Sequence, residues 1–166
     1  AFTATAENQQ IVGPGTLHGG GNTSPAVLVQ TGADNFTLEN VEVTGWEDGV
    51  EVEGDVTSFK VVGNWFHENT DAGLQIDSGV TIDGNMTIEG NLFKENDTGI
   101  RNDGTAAIDA QYNSWGALSG PDTGDTAGST TVTTTNHTFA ELYLDVEPDT
   151  LAQTRAVSET DVFTVA

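Results

Sequence analysis

The sequence contains no cysteine and very few basic residues. Its 166 residues include 26 acidic side chains and only four basic ones, which gives a formal net charge of -22. The absence of cysteine excludes a disulfide framework. No apolar run approaches the ~18 residues that a transmembrane helix needs, so we expect no transmembrane segment. The scarcity of Lys and Arg excludes nucleic acid as a partner, because binding by counterion release requires clustered basic side chains.

Two explanations fit this charge: cation binding, or a surface adapted to molar salt. At molar salt the Debye length falls to about 3 Å, so repulsion among surface carboxylates costs little. The acids are spread over the whole chain, and the only basic residues are Lys60, Lys94, Arg101 and Arg155. This distribution favours the salt-adapted surface.

Amphipathic helical periodicity is also missing between residues 26 and 116. In its place Gly-aliphatic steps recur, at Gly49-Val50, 24 residues later at Gly73-Leu74, and 26 residues after that at Gly99-Ile100. Two further short segments recur with a similar period, at 36–38, 59–61, 86–88 and 108–110, and at 41–43, 65–66, 92–93 and 114–115. Three short strands in each period predict an all-β fold, a single-stranded right-handed parallel β-helix (solenoid) of about four to five coils with terminal caps.

The segments NWFHENTDAGLQI (64–76) and NLFKENDTGIRN (91–102) are two copies of one such rung. Three asparagines are predicted to share a corner, where stacked amides hydrogen-bond along the column and tolerate left-handed backbone: Asn64, Asn91 and Asn113. Three aromatic residues follow two positions later and are predicted to stack inside the core: Phe66, Phe93 and Trp115.

The segments IVGPGTLHGGG (11–21) and YNSWGALSGPDTGD (112–125) look like the first coil and the closing segment of known solenoids. With the repeats, they resemble the right-handed parallel β-helix repeat proteins of the pectate-lyase-like superfamily, of haloarchaeal secreted or cell-surface type, over about residues 10 to 122. The pattern changes after Pro121. We therefore predict a β-helix with an N-terminal cap over residues 1–122, and a C-terminal cap or extension with a short helix and a terminal strand over 123–166.

Strand alternation in Val50-Glu51-Val52-Glu53 points the valines inward and the glutamates outward. Aligning the rungs predicts two outward columns, one of Leu28, Glu51, Gln75 and Arg101, and one of Gln30, Glu53, Asp77 and Asp103. Successive members of a column are expected about 5 Å apart.

The resemblance implies a chemistry for this face, because β-helix lyases and hydrolases place carboxylates and a basic residue there. Asp77 and Asp103 would then act as acid and base, with Arg101 as substrate anchor or base. Alternatively, Glu53, Asp77 and Asp103 would bind Ca²⁺. We expect no cofactor to be required, and Ca²⁺ is the one candidate ion. The third interpretation is a solvated surface without a specific role. A chain with 26 acidic residues is expected to align some carboxylates on neighbouring rungs by chance.

Five N-x-S/T sequons favour an exported, glycosylated chain: Asn22, Asn35, Asn85, Asn96 and Asn136. The start at Ala1 without Met suits a mature protein, so the expected localisation is extracellular or the cell surface. The final segment is apolar on both sides and is predicted to pair with its own subunit's edge or with a neighbour's. Its residues are the candidate assembly residues: Asp161, Val162, Phe163, Thr164, Val165 and Ala166.

These observations favour an extracellular structural protein of a salt-adapted organism or its virus. It would self-assemble as a homo-oligomer or polymer into a filament, sheath or surface layer, through the β-helix ends and terminal strands. One alternative is a carbohydrate-active enzyme, a polysaccharide lyase or hydrolase. The other is a glycan-binding surface module that uses an exposed Trp46 or the groove beside the carboxylates. A fold alone cannot choose among these.

Overall fold

The computed structural model describes residues 1–117 and 119–138, which form strands and no helix. The strands are β1 (Phe2–Ala4), β2 (Gln10–His18), β3 (Val27–Val29), β4 (Phe36–Thr44), β5 (Val50–Val52), β6 (Phe59–Val62), β7 (Trp65–His67), β8 (Ala72–Ile76), β9 (Met86–Glu89), β10 (Leu92–Lys94), β11 (Thr98–Asn102), β12 (Ile108–Asp109), β13 (Thr126–Ala127) and β14 (Val132–Thr133). In this part of the chain no helix is long and apolar enough to cross a bilayer.

All strand pairs of the described residues are parallel, and the paired strands stack in register except for a shift between Val12 and Gly15 in the β2–β4 pair. One sheet has the order β1-β3-β5-β8-β11-β13, and a second has the order β10-β7-β4-β6-β9, with β2 paired to β4. Val50 lies opposite Leu74, and Leu74 lies opposite Ile100, as the spacing of the Gly-aliphatic steps predicts. The chain thus winds through about five coils, and the predicted parallel β-solenoid is confirmed.

Inward side chains form a continuous core along the solenoid axis. The rings of Phe66 and Phe93 stack with centroids 5.1 Å apart, and those of Phe93 and Trp115 are 5.2 Å apart, so the predicted stack is confirmed. Phe2, Phe36 and Phe59 form a second stack, with ring centroids 6.5 and 6.2 Å apart. No coil could bury these rings alone, so each coil depends on its neighbours for its stability.

The predicted asparagine corner forms as a buried hydrogen-bonded ladder. Asn64 Nδ2 donates to Asn91 Oδ1 at 3.0 Å, and Asn91 Nδ2 donates to Asn113 Oδ1 at 2.9 Å. The left-handed backbone, however, falls on the residue before each of them: Gly63, Gly90 and Tyr112. The ladder asparagines therefore serve to satisfy backbone groups at the corner.

A second asparagine ladder was not predicted. Asn69 Nδ2 donates to Asn96 Oδ1 at 2.8 Å, and Asn69 Oδ1 accepts the backbone N–H of Trp46 at 3.2 Å. Each of these asparagines follows a left-handed glutamate, Glu68 or Glu95. The repeated Glu-Asn pair in the two sequence copies is the pattern that marks this ladder.

The two ends of the solenoid continue the parallel pairing of its coils. At the end where an N-terminal cap is predicted, Phe2–Ala4 pairs with β3 and extends the first sheet. Parallel pairing continues beyond residue 122 as far as Thr133. The division at 122 stays a prediction. The expected cap helix and the terminal strand at 161–166 lie outside the described residues.

Candidate functional site

Seven acidic side chains and one arginine cluster on and beside the outward side of the first sheet, a region that we call the carboxylate face. They are Glu47, Asp48, Glu51, Glu53, Asp71, Asp77, Asp103 and Arg101. Leu28, Glu51, Gln75 and Arg101 lie opposite one another in consecutive strands, which is the first predicted column. The alternation of β5, with buried valines on either side of Glu51, directs this side chain outward.

The second predicted column also forms, because its members follow their strands at equivalent positions. The backbone N–H groups of Glu53, Asp77 and Asp103 donate to the preceding coil at 3.0, 3.0 and 2.9 Å. Each carboxylate already accepts a hydrogen bond: Glu53 from Gln30 Nε2 at 2.5 Å, Asp77 from Gln75 Nε2 at 2.9 Å, and Asp103 from Ser129 N at 2.8 Å. These partners fix the carboxylates at the sheet surface.

Arg101 binds Asp71 through both arms of its guanidinium. Nη1 lies 2.6 Å from Oδ2 and Nη2 lies 2.6 Å from Oδ1, and Nη1 also donates to Gln75 Oε1 at 3.3 Å. Such bidentate pairs are among the stronger charged hydrogen bonds. The hydrogen bond that Arg101 donates to Asp71 raises the pKa of Arg101 further. The side chain predicted as anchor or base is therefore a cation held by Asp71, a residue outside both predicted columns.

Two carboxyl groups on this face have strongly raised pKa values. Burial, with the charges of Asp77 and Asp48 next in size, raises the pKa of Glu51 to about 7. Burial also raises the pKa of Asp48 to about 6, against the hydrogen bond that its carboxylate accepts from Ala72 N. Asp48 is only 4% exposed. Sequence reasoning placed Glu51 in its column but assigned it no role, although an apolar neighbour, Leu28, was visible in the same column.

The second sheet carries a smaller polar cluster around Glu42. This carboxylate accepts hydrogen bonds from Thr16 Oγ1 at 2.6 Å and interacts with His67 Nε2 at 3.0 Å. The bond from Thr16 is the main reason that the pKa of Glu42 is lowered. The ring of His67 also stacks on Trp65 with centroids 4.0 Å apart. The cluster holds its own polar groups in place.

The exposed position predicted for Trp46 is wrong. Its side chain is 7% exposed, and its Nε1 donates to the backbone oxygen of Leu17 at 2.9 Å. The ring packs against Gly19, where an added Cβ would lie 2.7 Å from Trp46 Cδ2. Trp46 therefore cannot serve as the sugar-stacking residue of a glycan-binding module.

The five sequons differ in their structural settings. Four asparagines are exposed: Asn22, Asn35, Asn85 and Asn136. Asn96 is half-buried, and its Nδ2, the atom that carries a glycan, donates to Phe66 O at 3.0 Å within the second ladder. A glycan at Asn96 would therefore disturb the second ladder, whereas the Nδ2 hydrogen bonds of Asn22, Asn35 and Asn136 lie at the exposed surface.

Among residues 1–117 and 119–138, no group of three or more His, Cys, Asp or Glu side chains is arranged to hold a metal ion.

The fold and its surface define the class of the molecule: a parallel β-solenoid with an acidic outward face. The sequence model of the family described as "Right handed beta helix region" matches residues 15–114, more than half of the chain. The chain belongs to this family. No match was found among curated proteins or among solved structures.

Proposed function

We propose that this chain is an extracellular structural β-helix protein of a salt-adapted organism or its virus. It assembles end to end into a filament, sheath or surface layer. The observation that carries the proposal is the order of the first sheet, in which β1 and β13 lie at the two edges of the described residues. An unpaired parallel edge presents a row of N–H and C=O groups to a further strand.

The geometry of β1 supports stacking at its open edge. Phe2 N donates to Ala26 O at 2.8 Å, and Ala4 O accepts from Gln30 N at 3.0 Å. Because bonding alternates along a parallel strand, the peptide groups of Thr3 face away from β3. Apolar side chains at this end are only partly buried. One more coil stacked here would pair these groups and cover the apolar surface.

Joining the β1 edge of one copy to the β13 edge of another is a head-to-tail contact. Such contacts generate open filaments when the rotation does not close. Each copy carries a formal charge of -22, so copies repel one another at low ionic strength. We therefore expect assembly in molar salt, where screening is strongest, and dissociation on dilution.

The test is negative-stain electron microscopy in molar salt with Thr3→Pro. Proline removes the outward N–H of Thr3 without cutting a bond to β3. We expect folded, dispersed protein, while the control Thr3→Val assembles like the parent chain. Regular filaments from Thr3→Pro would refute assembly through this edge. Deletion of residues 160–166 separately tests assembly through the terminal strand. If the terminal strand mediates assembly, the truncated chain should not assemble.

A carbohydrate-active enzyme is the second candidate, supported by Glu51 and its raised pKa of about 7 beside Asp77. A carboxyl group that stays protonated near neutral pH is suited to general acid catalysis. The test is release of reducing ends or unsaturated products from acidic polysaccharides in high salt, with and without Ca²⁺. Product release that disappears in Glu51→Gln and in the double variant Asp77→Asn with Asp103→Asn would support the enzyme; no release from any glycan would count against it.

Calcium binding by Glu53, Asp77 and Asp103 and glycosylation of the sequons are further parts of the proposal. Calcium binding requires the three carboxylates to move together, because they are not arranged around a metal ion in this structure. Calorimetric titration with CaCl₂, comparing the parent chain with the Asp77→Asn, Asp103→Asn double variant, tests the first. Intact-mass measurement of protein from its natural source tests the second. We expect modification at exposed asparagines such as Asn22 and Asn85 and none at Asn96.

A further inference from the structure

The stacking of rungs is interrupted between β9 and β12. Within the described residues β9 pairs with β6 on one side, and β12 pairs with β14, but β9 and β12 do not pair with each other. In the coils before them, β4, β6 and β9 form a continuous ladder. The connection into β9 spans residues 77–85 and that into β12 spans 103–107, so the two coils enter this side through loops of unequal length.

An open cleft of about 180 Å³ lies over this gap. Its polar lining comes from Thr87 and Glu89 on β9 and from Asp109, Gln111 and Tyr112 on the next coil. The backbone contributes as well. Ile108 N and Ala110 N both donate to the following coil, so the intervening peptide groups of Asp109 face the gap. The cleft is smaller than the roughly 300–1,000 Å³ of drug-sized sites, and so it accommodates one small ring.

Tyr112 is the unusual residue of the cleft. It has a left-handed φ of 61° and directly precedes a ladder asparagine, where the two preceding coils have Gly63 and Gly90, each with φ 67°. Left-handed backbone is costly for a bulky residue and free of this cost for glycine. The Tyr112 side chain is nevertheless 53% exposed, so it gains little from the core. A strained, exposed aromatic residue at a position that is glycine in the preceding coils indicates a functional role for the ring.

The polar groups beside Tyr112 are already held in place. Asp109 Oδ1 accepts from Gln111 N at 3.1 Å, and Oδ2 accepts from Gln111 Nε2 at 3.0 Å. Gln111 Oε1 accepts from Asn136 Nδ2 at 2.7 Å. A carboxylate has about four acceptor positions and an amide nitrogen has two hydrogens, so both groups keep free capacity for a ligand. Such supported side chains lose little freedom on binding.

We propose that the cleft between β9 and β12 binds one ring of a neutral saccharide. The face of Tyr112 stacks on the apolar face of the sugar, Asp109 accepts from one hydroxyl, and Gln111 donates to its neighbour. The negative charges of Glu89 and Asp109 disfavour anionic sugars. This cleft lies on a different side of the solenoid from the carboxylate face, and it requires neither catalysis nor assembly.

The test is a titration followed by ¹H–¹⁵N NMR on the labelled chain in molar NaCl. The probes are glucose, galactose, mannose and N-acetylglucosamine, with choline chloride as a cationic comparison. We expect saturating shifts at the amides of residues 87–89 and 109–112 with at least one sugar, at a Kd on the order of 1–10 mM.

Tyr112→Gly is the decisive variant because it restores the glycine of the preceding coils. It should fold with equal or higher thermal stability and bind the sugar about three- to tenfold more weakly, as expected for a lost aromatic stack. The matched control is Glu95→Gly, another exposed left-handed position (φ 59°) away from the cleft, which should leave binding unchanged. Tyr112→Phe should retain binding.

Three results would overturn the proposal. The first is an absence of shifts at the cleft with all four sugars. The second is binding that Tyr112→Gly leaves unchanged, which would place the sugar elsewhere. The third is shifts with choline chloride but with no neutral sugar, which would make the cleft a cation site.

Discussion

Replacing Glu51 by glutamine tests the electrostatics of the carboxylate face directly. Burial, followed by the charge of Asp77, raises the pKa of Glu51 from 4.5 to about 7. Glutamine keeps the size of the side chain and removes its titration. The folded protein takes up more protons at this site than the unfolded chain does between these two pKa values. The stability contribution of Glu51 is therefore fully present below pH 4.5 and is lost as the pH rises through about 7.

The size of the effect follows from the pKa. Each tenfold change in proton affinity corresponds to about 1.4 kcal/mol, so ionising Glu51 costs the folded state at most about 3 kcal/mol. Because the side chain is partly exposed, solvent screening reduces this to roughly 1 kcal/mol. For a chain of this length that difference corresponds to about 2–4 °C in the melting temperature.

The assay is urea unfolding of Glu51→Gln and the parent chain at constant salt, at pH 4 and pH 8.5. We expect equal stabilities at pH 4 and a variant more stable by about 1 kcal/mol at pH 8.5. Since burial is the largest cause of the raised pKa, most of the difference should persist in molar salt. Glu95→Gln, at an exposed position, is the control and should show no such trend. A Glu51→Gln difference that does not change with pH would refute the reasoning.

Three further substitutions probe the solenoid. Asn91→Ala should lower the free energy of unfolding by about 2–4 kcal/mol in urea titrations, because it leaves buried groups of Asn64 and the backbone without partners; a loss under about 1 kcal/mol would contradict a structural ladder. Gly73→Ala places a Cβ 2.7 Å from Phe93 Cδ1 and should lower the free energy of unfolding, measured by calorimetry, by about 1–3 kcal/mol. Gly15→Ala is the control and should leave it unchanged, because the space around Gly15 is open. Arg101→Lys should lower the free energy of unfolding by about 0.5–1 kcal/mol at low salt and by less at high salt. An equal loss of stability at both salt concentrations would argue that the Arg101–Asp71 ion pair is not its cause.

The repeat could be predicted from the sequence because each coil carries the same short period-2 strands. Val50, Leu74 and Ile100 take the register that their spacing indicates. The aromatic stack and the first asparagine ladder followed from the same alignment. These features depend on contacts one coil apart, where the sequence offset is nearly constant.

Features that depend on local turns could not be predicted in this way. The burial of Trp46 requires Gly19 and Leu17 of the preceding coil to receive its ring, and no periodic position indicates that. The binding of Arg101 to Asp71 runs diagonally across the rungs, so a column alignment misses it. The gap between β9 and β12 arises where loop lengths change, which is where the repeat is least regular.

The offset of 22 to 30 residues in the ladder hydrogen bonds also has a kinetic consequence. Since each coil touches only the coils beside it, opening can begin at either end and move inward one coil at a time. Amide hydrogen exchange should therefore be slowest near β5 and β8 and faster toward β1 and β14. The terminal coils would therefore unfold before the central ones.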